Sequence, residues 1–379
     1  MKVKLLPLAV AAAVVGFAAP AAAEKVVKLG HVAPLTGAIA HLGKDNEFGA
    51  KMAIDDLNAK KVKIGGEVVK FELLSEDDAG DPKQGTAAAQ KLVDARVAGV
   101  IGHLNSGTTI PASKIYHDAG VPQISPSATN PKYTKQGFEN VFRVVAHDGL
   151  LGGALGRYAA NKLKVKSIAV IDDRTAYGQG VADEFAKAAK AAGAKVVGRE
   201  YTNDKATDFN AILTKLKGKK PELVFFGGMD AVAGPMLRQL RQLGMDVKFM
   251  GGDGICSPKL AELAGAAMKD GQVICAEAGG IDTALEAPMN QWRKRFKDKF
   301  GTDVQIYAPY VYDATMAMVA AMQKADSTDP KKYLPVLKKV EYKGLTGTIA
   351  FDKSGDIRNG ALTLYTYKGG KREKMMVTK

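Results

Sequence analysis

Cysteine is scarce in this chain of 379 residues, which contains Cys256 and Cys275 and no others. The residues around them do not follow the spacing of metal ligands, so no zinc site is expected there. In an oxidising compartment, two cysteines this close in sequence can form one disulfide, worth about 3 kcal/mol at most by the entropy of loop closure. We expect this bridge, with two separate buried thiols as the alternative.

The sequence also lacks, after its first 23 residues, the run of about 20 apolar residues that a membrane-spanning helix requires. Residues 1–23 follow a different pattern. Lys2 and Lys4 precede a short apolar stretch, and residues 21–23 are all alanine. This pattern predicts a secretory signal peptide cleaved after Ala23, with an uncleaved anchor as the alternative.

Motifs of the common catalytic sites are missing. No glycine-rich dinucleotide or phosphate loop follows a strand, Ser106 does not lie in a nucleophile elbow, and the five histidines lack zinc-binding spacing. His103, close to Ser106, is a candidate base for an exported α/β enzyme, but a structural or surface histidine is the favoured interpretation. We therefore expect no cofactor and no metal, and a binding protein is a better interpretation than an enzyme.

Acidic residues are outnumbered by basic ones, and the formal net charge is +14, or +12 without Lys2 and Lys4. The lysines are scattered along the chain, and the basic runs at 215–220 and 293–299 fall on predicted helix faces or ends. This distribution favours a solvated surface, and no nucleic-acid partner is expected.

Strand-like and helical segments alternate along the chain. The series begins with a predicted strand at 26–32 and starts again at 167–172. Near the end, a long apolar helix is predicted at 307–324, followed by strands at 345–351 and 361–367. The alternation predicts an α/β fold with parallel sheets, and the length predicts two domains.

Residues 97–129 contain the most informative pattern. Predicted strands at 97–101 and 121–125 flank a predicted helix at 112–119, which makes a parallel βαβ unit. Ser106 falls in the loop after the first strand, while Ser127 and Thr129 fall in the loop after the second. In open α/β sheets ligands bind outside these strand ends, and a helix N-terminus there favours an anion such as a carboxylate. Helix capping is the alternative role for these hydroxyls.

An acidic run, Glu76-Asp77-Asp78-Ala79-Gly80-Asp81, precedes a helix predicted to begin at Pro82. The run lacks the alternating oxygen ligands of a calcium-binding loop. Carboxylates in front of a helix also stabilise its N-terminus. A structural role is therefore favoured over a cation site.

Five segments in order carry a resemblance to a known family: DDAGDPKQ, IGHLNSGTTIPAS, ISPSATNP, RTAYGQG and FMGGDG. Together they resemble the periplasmic leucine/isoleucine/valine-binding proteins over essentially the whole chain after residue 23. The resemblance implies two lobes joined by three crossovers, 24–144 with 278–350 and 145–277 with 351–379. It also implies a periplasmic monomer that closes on an amino acid like a hinged trap and delivers it to the permease and ATPase of a membrane ABC importer.

The resemblance also assigns roles to individual residues. Ser106 and Thr129 match the residues that hold the ligand's α-carboxylate, and Leu104 and Ala128 lie beside them in the two loops. The backbone carbonyl of Ser127, together with Thr129, matches the acceptors of the α-ammonium. The remaining expected contacts come from the second lobe and the side-chain pocket: an acid for the ammonium at Asp253, a tyrosine that closes over the ligand at Tyr177, and apolar wall residues at Leu42 and Met229.

Some positions depart from the family pattern. Gly80 and Asn105 stand where the family has a disulfide, and Asp253 stands where a glutamate is expected. Leu42 and Met229 occupy two aromatic positions of the side-chain pocket, which gives its wall a different shape. An aliphatic, branched-chain amino acid is the expected ligand. Another small amino acid remains an alternative, as does a neutral amide or urea, for which Asp253 would be dispensable.

Overall fold

The structure is a computed structural model that describes residues 25–281 and 283–378. The predicted signal peptide and its cleavage site therefore lie outside the described residues. Within them, no helix combines the length and the hydropathy needed to cross a bilayer.

Strands and helices alternate through most of the described chain, as the sequence predicts. The strands are β1 (Lys25–Ala33), β2 (Lys63–Ile64), β3 (Glu67–Asp77), β4 (Val100–Gly102), β5 (Gln123–Ser125), β6 (Val141–Arg143), β7 (Ser167–Asp172), β8 (Lys195–Tyr201), β9 (Leu223–Gly227), β10 (Lys248–Gly251), β11 (Val273–Glu277), β12 (Tyr342–Lys343), β13 (Thr348–Ile349), β14 (Leu362–Lys368) and β15 (Lys371–Thr378). The α-helices are α1 (Ala40–Ala59), α2 (Pro82–Asp94), α3 (Ser106–Asp118), α4 (Asp148–Arg157), α5 (Ala176–Ala191), α6 (Asn210–Lys217), α7 (Asp230–Gln242), α8 (Lys259–Ala264), α9 (Glu286–Phe300), α10 (Ala308–Lys324) and α11 (Pro330–Leu337).

Two sheets divide the molecule into two lobes. Lobe 1 is built on the sheet β2-β3-β1-β4-β5-β6, against which α1, α2, α3 and α10 pack, with α9 and α11 on the outside. Lobe 2 is built on the sheet β15-β14-β11-β10-β9-β7-β8, covered by α4 to α8. Buried aliphatic and aromatic side chains on both faces of each sheet form the cores, as expected for parallel strands covered by helices.

The expectation of parallel pairing is wrong at the outer strands of both sheets. β2 is antiparallel to β3, and β14 is antiparallel to both β11 and β15. Tight turns join β2 to β3 and β14 to β15, and such turns produce antiparallel pairs, whereas β14 returns to β11 only after the chain has passed through α9, α10 and α11 of lobe 1. The short β2 and the hairpin strand β15 were not predicted from the sequence, and the strand predicted at 345–351 is reduced to β13.

The chain passes between the lobes after β6, after β11 and between β13 and β14. The first two passages lie side by side, because the amide of Ala146 donates to the carbonyl of Ala278 at 2.9 Å. In lobe 2, Cys256 and Cys275 are joined by a disulfide that ties the turn after β10 to β11. Both cysteines are completely buried.

The acidic run between β3 and α2 is part of the scaffold. Asp81 caps α2 by accepting from the amides of Lys83 and Gln84, and Asp77 accepts from the amide of Leu35 at 2.7 Å. Asp78 is buried, and its Oδ2 lies 3.1 Å from Nδ1 of His103. The carboxylates of this run are used in capping and loop closure, which confirms their structural role.

Candidate functional site

The two loops that follow β4 and β5 meet where their strands end. Helix α3 begins at Ser106, six residues before the predicted helix at 112–119, so Ser106 opens the helix instead of standing free in a loop. Its hydroxyl accepts a hydrogen bond from the amide of Asn130 at 3.2 Å. The Ser127 hydroxyl donates to the carbonyl of Leu104 at 3.1 Å. These two bonds fix one loop against the other.

Arg143, the last residue of β6, holds the second loop from below. It is completely buried, and its guanidinium donates to the carbonyls of Ala128 and Asn130 at 2.9 and 3.1 Å and to the Thr134 hydroxyl at 2.7 Å. Its Nε pairs with Asp356 on the segment before β14. The Ala128 carbonyl is therefore engaged inside lobe 1 and points away from any ligand.

Thr129 and Asp148 form a buried polar pair beside the first passage between the lobes. The amide of Asp148 donates to the carbonyl of Thr129 at 2.8 Å. Among the described residues, neither the Thr129 hydroxyl nor the Asp148 carboxyl completes a well-formed hydrogen bond. Burial raises the pKa of Asp148 to about 8, and the Thr129 hydroxyl opposes the shift. The sequence analysis missed Asp148, which follows no recognisable motif.

Asp253 lies opposite these loops, just after β10 of lobe 2, and is almost completely buried. The Tyr177 hydroxyl, from the first turn of α5, donates to Oδ1 of Asp253 at 2.8 Å. The Tyr307 hydroxyl donates to Oδ2 at 2.9 Å. Burial raises the pKa of Asp253 to about 6, because the loss of water outweighs the two hydroxyl hydrogen bonds that favour the carboxylate.

Glycine after Asp253 is a steric requirement. A side chain at Gly254 would come within 2.7 Å of the carbonyl of Gly228 and 2.8 Å of the Tyr177 ring. The amide of Gly254 donates to the Tyr177 hydroxyl at 2.8 Å, which orients that hydroxyl as a donor to Asp253. The glycines around Asp253 therefore allow the close packing that positions its carboxylate.

Tyr307 comes from lobe 1 and was missed by the sequence analysis. Its loop is held by Asp45 of α1, whose carboxylate accepts from the amides of Gln305, Ile306, Tyr307 and Ala308 at 2.7 to 3.1 Å. The Tyr307–Asp253 bond therefore joins a rigid part of lobe 1 to lobe 2.

Between the loops and the two tyrosines lies a small cavity of about 10 Å³. Its wall consists of Leu104, Asn105, Ser106, Ser127, Tyr177, Met229, Asp253 and Tyr307. Leu42, Ala128 and Thr129 are buried and are not part of this wall.

His103 is not placed to act as a base. It is completely buried, with one ring nitrogen 3.1 Å from Asp78 and the other 3.0 Å from the Tyr116 hydroxyl. Both nitrogens are thus used inside lobe 1. Among the described residues, no group of histidine, cysteine and carboxylate side chains is arranged to hold a metal ion.

A family model for periplasmic binding proteins matches residues 26–371. The chain belongs to the periplasmic binding protein family. It is 37% identical to a "Leu/Ile/Val-binding protein homolog 1" of Brucella abortus, over 95% of this chain and 94% of that protein. It is 35% identical to the "Leucine-, isoleucine-, valine-, threonine-, and alanine-binding protein" of Pseudomonas aeruginosa, with 96% of each chain covered.

Among solved structures, this family member is similar to the branched-chain amino acid transporter substrate-binding protein LivJ of Streptococcus pneumoniae in complex with isoleucine. The TM-score is 0.82 at 26% identity, over 93% of this chain and 99% of that one. The two-lobed α/β architecture expected from the sequence is thus confirmed.

Proposed function

We propose that this protein is a solute-binding protein, and not an enzyme, that captures an aliphatic L-amino acid between its lobes and delivers it to an ABC importer. The observation that carries the proposal is Asp253. Its buried carboxylate faces, across a small cavity, a helix N-terminus and two serine hydroxyls. A zwitterion requires acceptors at one end, donors at the other and an apolar wall for its side chain, and this cavity offers all three.

The α-carboxylate of the ligand is proposed to lie at the start of α3. The amides of that first helical turn and the Ser106 hydroxyl supply donors, and the helix dipole favours negative charge there. Thr129, directly behind, completes the set once its unpaired hydroxyl turns toward the ligand. The Ala128 carbonyl contributes nothing, since Arg143 already occupies it.

The α-ammonium is proposed to lie against Asp253 and the carbonyl of Ser127. The two tyrosine hydroxyls occupy one site on each oxygen of Asp253, and a carboxylate has about four lone-pair sites, so two remain for the ammonium. A charge-assisted hydrogen bond contributes roughly 1.5–3 kcal/mol, and a few of them approach the roughly −8 kcal/mol of a micromolar complex.

Capture is proposed to occur by closure of the two lobes along the boundaries predicted from the sequence. Contacts between the lobes support this step. Tyr307 bonds to Asp253. Nε2 of His41 in α1 lies 2.7 Å from Oδ2 of Asp230 in α7. The side-chain amide of Asn130 donates to the carbonyl of Ala176 at 2.6 Å. Most of the binding energy would therefore exist only in the closed form.

An aliphatic ligand is favoured by Leu104 and Met229 in the cavity wall, together with the relatives named for leucine, isoleucine and valine. The threonine and alanine named for the Pseudomonas relative make smaller side chains a reasonable second class. Membership of the family supports a periplasmic location and a permease–ATPase partner. We propose a monomer, with the signal peptide removed after Ala23.

Titration calorimetry of the chain without residues 1–23 tests the proposal. Leucine, isoleucine, valine, alanine and threonine are compared with acetamide and urea. Saturable heats for at least one aliphatic amino acid, and a Kd that rises tenfold or more in Asp253→Ala, are expected. If an amide gives saturable heats that Asp253→Ala leaves unchanged, the ligand is a neutral molecule and not an amino acid. Mass spectrometry of the unfolded protein identifies any ligand that was purified with it.

A further inference from the structure

The C-terminal hairpin of β14 and β15 carries an arginine that reaches from lobe 2 to lobe 1. Arg372 pairs with Tyr367 across the hairpin, close to the turn at Gly369 and Gly370. Its side chain is largely buried, with 15% exposed. The guanidinium donates to the carbonyl of Cys256 in lobe 2 and to the carbonyl of Gln305 in lobe 1, the second at 3.1 Å.

The lobe 1 acceptor is rigidly held and close to the site. The amide of Gln305 donates to the Asp45 carboxylate at 2.8 Å, as do the three amides that follow. Tyr307, two residues further on, bonds to Asp253. A displacement of the Gln305 carbonyl relative to lobe 2 therefore also displaces the Tyr307 hydroxyl.

The lobe 2 acceptor is equally well held. The amide of Cys256 donates to the carbonyl of Asp253 at 2.8 Å, and the disulfide to Cys275 ties the same residue to β11. Arg372 itself is oriented inside lobe 2, because its guanidinium lies over the Tyr365 ring at 4.9 Å and 3.7 Å from the Glu277 carboxylate. The arginine is thus placed before the lobes meet.

We propose that Arg372 is a positioning residue for ligand capture: an interlobe clasp, formed by its guanidinium with the carbonyls of Cys256 and Gln305, that holds the Asp253 turn against the Tyr307 loop in the closed form. This inference rests on the proposed function, since it assigns the clasp to the same site. The hydrogen bonds and the ion pair described above for Arg372 go to residues outside the cavity wall. Its effect is therefore on the closing equilibrium and does not depend on the ligand's side chain.

Opening of the lobes would break one contact of Arg372 and leave its contacts within lobe 2 in place. Separating the lobes removes the Gln305 carbonyl from a cation that keeps its lobe 2 partners, so one charge-assisted hydrogen bond across the lobes is lost. A ligand that binds only the closed form is weakened by the same factor as the closed population. The second contact of this region, from the Tyr310 hydroxyl of α10 to Glu277 at 3.2 Å, lies beside the passage between the lobes and persists without Arg372.

Arg372→Met tests the clasp, because methionine keeps the alkyl packing on Tyr365 and removes the donors. The matched control is Lys371→Ala, the exposed neighbour in the same hairpin. Calorimetry with L-leucine is expected to give a Kd roughly tenfold higher for R372M and unchanged for K371A. Each further amino acid that the wild type binds is expected to weaken by the same factor. Ligand-free R372M is also expected to show a larger radius of gyration in X-ray scattering than the wild type.

An unchanged Kd in R372M, a loss that differs among ligands, or an equal loss in K371A would each overturn the clasp. Should R372M not fold, Arg372→Lys takes its place: its single Nζ reaches one carbonyl at a time, so a uniform loss of about threefold is expected, and an unchanged Kd counts against the proposal. If the wild type binds no amino acid, the proposed function is wrong. The scattering comparison of the ligand-free proteins then still decides whether the clasp exists.

Discussion

Lowering the pH from 8 to 5 is expected to weaken amino-acid binding about tenfold through Asp253. Its carboxyl must be ionised to accept the ligand's ammonium, and burial raises its pKa to about 6 in the ligand-free protein. At pH 5 about one carboxyl in ten is ionised, so the apparent affinity falls by about that factor. The ammonium and carboxylate of a free amino acid do not titrate over this range.

The groups that face Asp253 set both the size and the range of the effect. The hydroxyls of Tyr177 and Tyr307 favour its charged form, and their own pKa values are raised well above 10, so they stay protonated. Asp148 lies near enough for its charge to oppose that of Asp253, and its pKa of about 8 places its titration at the upper end of the range. Ionisation of Asp148 between pH 7 and 8 is therefore expected to lower the affinity slightly, because its charge lies beside Thr129, on the side proposed for the ligand's carboxylate.

Calorimetry at pH 5, 6, 7 and 8 with the best aliphatic ligand measures the effect, and Asp253→Asn is the control. The variant is expected to bind more weakly at pH 8 and to lose the slope between pH 5 and 7. Asp148→Asn should keep that slope and lose only the slight decrease in affinity above pH 7. A wild-type Kd that is constant from pH 5 to 8, or a slope that survives in D253N, would refute the assignment of the ammonium to Asp253.

The stability of the ligand-free protein should change in the opposite direction. A carboxyl whose pKa is raised on folding holds its proton more tightly in the folded state, so its contribution to stability falls as the pH rises from 3.8 to about 6. The difference in unfolding free energy between the wild type and D253N isolates this contribution from the other carboxyls. It is expected to favour D253N increasingly over that window, as measured by urea unfolding.

Two further predictions concern the cavity wall and the loop behind it. Met229→Ala is expected to change the order of preference among leucine, valine and alanine, because Met229 lines the cavity. Thr129→Ala should weaken the binding of all three alike, because the proposed contact of Thr129 is with the part that they share. Ranked Kd values test both expectations, and a uniform loss in the Met229 variant would contradict the proposed role of Met229. Arg143→Met should lower the unfolding free energy by about 3 kcal/mol or more, since it removes the cation that pairs with Asp356 and the donor to the buried carbonyl of Ala128. Lys114→Met, which removes an exposed pair with Asp118, is the control with an expected change of at most about 1 kcal/mol in urea unfolding.

Much of the fold could be predicted because local pattern and tertiary environment agree. The β7 strand was predicted with its observed bounds, since its continuous apolar run Ile-Ala-Val-Ile is bounded by Ser167 and Asp172. The start of α3 was not predicted correctly. Its first turn, Ser-Gly-Thr-Thr-Ile-Pro, has poor helix propensity, and Pro111 lies inside the helix. Tertiary packing compensates: α3 packs against α2, and Ser106, Thr108 and Thr109 at its start are buried.

The site shows the same division. Ser106, Ser127, Tyr177 and Asp253 each occur in a segment that carries the family resemblance, and the structure places them around one cavity together with Met229. Tyr307 and Asp148 have no such segment. Their participation depends on which parts of the chain meet after folding, and 54 residues separate Tyr307 from its partner Asp253. Arg372, within the last eight residues of the chain, is the extreme case.

Asp253 also explains why a shorter acid suffices where the family resemblance led us to expect a glutamate. Tyr177 in lobe 2 and Tyr307 in lobe 1 each donate to one of its oxygens. The carboxylate is therefore fixed from both sides, and a longer side chain is not required. The Tyr307 bond forms only when the lobes are together, as does the Arg372 bond to the Gln305 carbonyl. The acceptor for the ammonium is therefore complete only in the closed form. In the proposed binding mode, a ligand without an ammonium would leave a buried, half-paired carboxylate, so the cost of closing around it would select zwitterions.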